Sequence, residues 1–151
     1  MALAADADKG AAAATAADRP KLQMKVVAPY VIDLIQRDEI VDALFSRVRD
    51  GIRARSRDLE IVQVEEGDEP AQGKPLLTLT LIDWRQTRMG DIECRFSAEY
   101  SSFDGKLALG IFDGVTPSIV RSRGFLGEDF VKAAEDAGRS LGEALRRQKL
   151  I

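Results

Sequence analysis

The pair Asp104-Gly105 lies between two alternating apolar runs, and an Asp-Gly step in that setting is the strongest short-range signal of a β-hairpin. With these two residues as the loop, Phe103 faces Lys106, Tyr100 faces Leu109 and Ala98 faces Ile111. Side chains alternate across a strand, so a slip of one residue would exchange the two faces. This pairing keeps them separate: Ile92, Cys94, Phe96, Ala98 and Tyr100 share a face with Leu107, Leu109 and Ile111. A second turn around Thr87-Arg88-Met89-Gly90 sets Leu81 against Ala98, Leu79 against Tyr100 and Leu77 against Ser102. Residues 75–113 therefore read as a three-stranded antiparallel meander. Its other face carries Thr78, Thr80, Ile82, Trp84, Glu93, Arg95, Ser97 and Glu99, and is left open.

The rest of the chain supplies what covers the apolar face. Leu22, Met24 and Val26 alternate with Lys21, Gln23 and Lys25 in a first strand that closes at Pro29. A helix starts between Asp33 and Asp38, with Val41, Leu44, Phe45, Val48 and Ile52 on one stripe; Gly51 is expected to loosen its last turn. Leu59 to Val64 forms a second strand, followed by the acidic loop Glu65 to Pro70. Beyond the meander, Gly114, Pro117 and Gly124 mark an irregular connection that Phe125 and Leu126 would anchor. A last helix, about 128–148, places Phe130, Ala134, Ala137, Leu141 and Leu145 on one stripe. The order β-α-β-β-β-β-α with two helices on one face of the sheet is an α+β two-layer sandwich. Residues 1–20 are Ala-rich with no apolar face, and read as a disordered tail or the remnant of a signal peptide; residues 21–151 read as a single α+β domain.

Composition removes several chemistries. The 22 Lys and Arg balance 25 Asp and Glu at net charge −3, so no overall basic field favours nucleic acid. There is no His and no Asn, and Cys94 is the single cysteine, which excludes an intrachain disulfide, Ser-His and Cys-His nucleophiles and the usual zinc sets. The acidic loop lacks EF-hand spacing, and no Gly-rich phosphate motif opens a helix. No apolar run is long enough to cross a bilayer. The expectation is no enzyme, no cofactor and no metal site.

Three groups of residues stand out. In the meander register, Trp84 lies opposite Arg95 with Ile82 beside them, a stacked Trp-Arg patch of the kind that anchors partners. The same register brings Arg85 opposite Cys94, where a guanidinium would lower a thiol pKa; against that, the thiol has no base or resolving partner and reads more simply as a small core residue. Ala134, Gly138 and Gly142 stack at four-residue spacing in the last helix, and helical glycines imply a very close neighbour. That neighbour is this chain's own sheet or first helix, or a second copy in a homodimer.

The layout resembles a group of bacterial envelope proteins related to the TolB amino-terminal domain, to CsgG and to small lipoproteins. The matching pieces are Ala28-Pro29-Tyr30, Phe103-Asp104-Gly105-Lys106-Leu107 and the helix from Glu128, within residues 22–148. The resemblance implies a non-enzymatic periplasmic or outer-membrane-associated component that acts through protein contacts. Two departures are the missing helix between strands two and three and the absence of a lipid-attachment cysteine. The alternatives are a cystatin-like or NTF2-like cup holding a small ligand near Phe45 and Tyr100, and an acidic, dimeric, cytoplasmic secretion-type chaperone.

Overall fold

The computed structural model describes residues 20–30, 34–117 and 128–151. Its elements are β1 (Lys21–Val27), α1 (Leu34–Arg53), β2 (Glu60–Gln63), β3 (Leu76–Gln86), β4 (Ile92–Ser102), β5 (Gly105–Thr116) and α2 (Glu128–Arg147). Nearly all of the expected tail, and the anchoring Phe125 and Leu126, lie outside the described residues.

The class is α+β as expected, but the sheet is mixed. Its spatial order is β2-β1-β3-β4-β5: β1 runs parallel to both β2 and β3, and only β3, β4 and β5 form the antiparallel meander. Parallel neighbours need crossovers. The first runs from β1 through α1 to β2. The second returns from β2 to β3 across the opposite face, and Gln23 shows where it passes. This buried side chain points away from Leu22 and Met24; it donates to the carbonyls of Ala71 and Lys74 at 3.1 and 3.4 Å and accepts from the Ala71 N–H at 2.7 Å. Two crossovers in opposite directions on opposite faces have the same hand, as parallel connections require. A loop held by one satisfied amide thus does the work of a helix between β2 and β3.

α1 and α2 pack side by side on the other face. Leu22, Met24, Val26, Leu77, Leu79 and Phe96 rise from the sheet to meet Leu44, Val48, Ile52, Ala134, Ala137 and Leu141. Phe45 and Tyr100, the residues expected to line a ligand cup, are both buried members of this core.

Glycine sets how closely the layers approach. A Cβ on Gly138 would stand 2.8 Å from the Val48 Cα, and one on Gly51 would stand 2.6 Å from the Glu135 carbonyl oxygen. Gly142 faces Ile52 in the same way, one turn along. The close neighbour of Gly138 and Gly142 is therefore α1 of the same chain, and Ala134 is fully buried on the same face of α2. Gly51 does not loosen α1; it lies at the crossing, and the helix continues to Arg53. Gly114, expected in an irregular connection, belongs to β5, where the α2 backbone at Ala133 occupies the space of a side chain.

Candidate functional site

The side of the sheet away from the helices and its β5 edge are what the fold leaves to a partner. Two bulges decide which side chains appear there. In the β3–β4 ladder Leu77 faces Tyr100, Leu79 faces Ala98 and Leu81 faces Phe96, two residues off the expected register but in the same phase. The ladder then slips between Leu81 and Asp83, leaving Ile82 without a partner. One unpaired residue exchanges the faces of everything beyond it.

The expected partner patch of Ile82, Trp84 and Arg95 therefore does not form. Trp84 crosses to the core side opposite Cys94, is only 7% exposed, and donates its indole N–H to the Phe130 carbonyl at 3.0 Å. Its ring also lies 6.3 Å from that of Phe130, so it ties β3 to the first turn of α2. Arg95 stays on the open side and is engaged there, binding Asp113 at 2.7 Å and Glu93 at 2.8 Å. Its hydrogen bond to Asp113, with the charges of Asp113 and Glu93, makes the guanidinium hold its proton more tightly than usual.

The same slip removes Arg85 from Cys94 and places it opposite Glu93. Cys94 is fully buried, and burial, with Asp113 and Glu93 adding to it, pushes its thiol up to about 12. This is the reverse of an activated thiol. Among the described residues no three metal-ligating side chains gather.

The second bulge lies in β5. The turn consists of Phe103 and Asp104, with Gly105 opening the strand at φ 130°, so Tyr100 faces Leu107. The ladder slips between Ala98 and Glu99, with Leu109 as the extra residue and Gly110 at φ 104°. Beyond it Phe96 faces Phe112, while Ile111, expected in the core, lies opposite Ser97 on the open side and is 61% exposed. Leu107 and Val115 are also exposed, as is Phe103 at the hairpin tip. Between β3, β4 and β5 runs a shallow cleft of about 280 Å³ lined by Thr78, Thr80, Ser97, Glu99, Ala108 and Ile111.

The sheet thus has one short edge and one long one. β2 has four residues, whereas β5 has twelve and three exposed large apolar side chains. A long edge with apolar side chains is the usual template for another strand. Sequence reasoning put Leu107, Leu109 and Ile111 on the core face; Leu109 does pack against the core and Leu107 shares the Tyr100 face though exposed, but Ile111 lies on the open side, and this edge was missed. The signals were a glycine inside a strand, Gly110, and the break in alternation at Leu81-Ile82, both of which mark bulges.

A five-stranded mixed sheet backed by two helices on one face is the class to which this architecture belongs. No family model matches the chain, nor does any curated protein. Among solved structures it is similar to an uncharacterised protein, with TM-score 0.53 and 9% identity over 87% of this chain and 92% of that one. It is similar to the same degree to protein XCC0632 from Xanthomonas campestris, of the DUF330 family, with TM-score 0.53 and 10% identity over 87% and 88%. At these identities the likeness is one of fold.

Proposed function

We propose that the chain is a non-enzymatic module of the bacterial cell envelope, periplasmic or outer-membrane-associated, that works through protein contacts made at the β5 edge. The observation that carries this reading is the asymmetry of the sheet: the helices close a core over β1, β3 and β4, while along β5 Leu107 on the helix side and Ile111 and Val115 on the open side are exposed to solvent. Support for the compartment comes from the resemblance to envelope proteins of the TolB and CsgG type. It rests on Ala28-Pro29-Tyr30 at the end of β1, the Asp104-Gly105 hairpin and the terminal helix. Among the described residues no helix is long and apolar enough to cross a membrane.

The test is a photoreactive benzoylphenylalanine placed at Ile111 in the full chain, expressed in the native host and irradiated before fractionation. Met89, 88% exposed at the other hairpin, is the control position. The expected result is a discrete adduct with an envelope protein, or with the chain itself, from Ile111 and not from Met89. Recovery in the cytosol without any adduct would overturn the proposal.

A further inference from the structure

The bulge at Leu109 and Gly110 restricts how β5 can pair with a second copy of itself. Before the bulge Lys106 and Ala108 lie on the open side and Leu107 on the helix side; beyond it Ile111 and Asp113 lie on the open side and Phe112 on the helix side. Two antiparallel β5 strands related by a two-fold axis set residues of like face directly opposite one another. Because the bulge inverts the phase, faces match along the whole strand only when the axis falls between Leu109 and Gly110. At that register Leu107 meets the second copy's Phe112, Ala108 meets its Ile111, and Lys106 meets its Asp113.

The charges agree with this register, though nothing in the face argument required it. Asp113 already binds Arg95, which binds Glu93, and Lys106 lies 4.0 Å from Glu99. Pairing extends these into one row of alternating sign across the open face: Glu93, Arg95, Asp113, then Lys106 and Glu99 of the other copy. The fold also supplies an end to the ladder. The Val115 N–H, beyond the paired stretch, is taken by the Asp136 carboxylate of α2 at 3.4 Å.

We infer that the partner of the β5 edge is a second copy of this chain, joined antiparallel over Lys106 to Asp113 so that two five-stranded sheets become one of ten. The inference rests on the reading of β5 as a contact edge and names its occupant.

Three measurements test it. Sedimentation of the intact chain should show a monomer–dimer equilibrium. K106E and D113K should each weaken the dimer about tenfold, since each puts like charges opposite one another twice. An equimolar mixture of the two variants should recover wild-type affinity, because in the mixed dimer both sites again hold opposite charges. Ala108→Cys and Ile111→Cys chains, mixed and oxidised, should join to one another and not to themselves, which fixes the register independently of the charge variants. A strictly monomeric chain, no recovery in the mixture, or self-joined Ala108→Cys would each overturn the inference. A monomer whose Ile111 probe still captures a different envelope protein would sink self-pairing alone; a monomer with no adduct would sink the proposed function as well.

Discussion

Gly138 and Gly142 lie one turn apart on the same face of α2, yet the structure assigns opposite consequences to the same substitution. Replacing either with Ala improves helix propensity by about 1 kcal/mol. At Gly142 the new methyl would stand 3.2 Å from the Ile52 Cα and 3.6 Å from its carbonyl oxygen, so a shift of a few tenths of an ångström accommodates it. At Gly138 it would stand 2.8 Å from the Val48 Cα and 2.9 Å from the carbonyl oxygen, both backbone atoms held within α1. That is roughly 0.7 Å inside the optimal carbon separation. The helices must part, and overpacking of this kind costs about 1–3 kcal/mol. G142A is therefore expected to be neutral or slightly stabilising. G138A should be destabilised by up to about 2 kcal/mol after the propensity gain, a fall in melting temperature of roughly 2–8 °C for a domain of this size. Urea titration followed by circular dichroism measures both, with the m-value checking that unfolding remains two-state. If G138A proved as stable as G142A at unchanged m, the close approach of α1 and α2 at Val48 would be wrong.

Other outcomes follow from single contacts. Trp84→Phe removes the indole N–H that the Phe130 carbonyl accepts and part of the packing against α2, and should lower stability by about 1–3 kcal/mol in the same titration. Gln23→Ala removes the β1 side chain that holds the crossover loop; proteinase K should then cut between Glu65 and Lys74 at least several-fold faster while α1 stays protected. Cys94 should resist alkylation in the folded protein at pH 8 and label at once in denaturant. Its folded pKa is raised from 9.0 to about 12, so the stability it contributes is intact below pH 9 and is lost as pH rises from there toward 12. Rapid labelling under native conditions would contradict the burial of β4.

Much of the architecture was legible because it depends on local patterns. The stripe Val41, Leu44, Phe45, Val48 and Ile52 defines α1, its later counterpart defines α2, and two turn signals bracket β4. The alternation of Leu77, Leu79 and Leu81 put those residues on the buried face, where they are. The expectation that helical glycines have a close neighbour came from propensity alone, and the neighbour proved to be α1.

The sequence by itself determined which segments are helix and strand, and which stretches are apolar enough to be buried. It also ruled out chemistry that depends on histidine or paired cysteines, since composition contains that information whole. Only the tertiary structure decided that β1 lies between β2 and β3, because parallel pairing joins segments far apart in the chain and leaves no local mark. It also decided the fate of Trp84 and Ile111, each of which lies beyond a single unpaired residue. Side-chain alternation passes errors of phase down the whole strand: one bulge sent the tryptophan inward, and another brought the isoleucine out onto the edge.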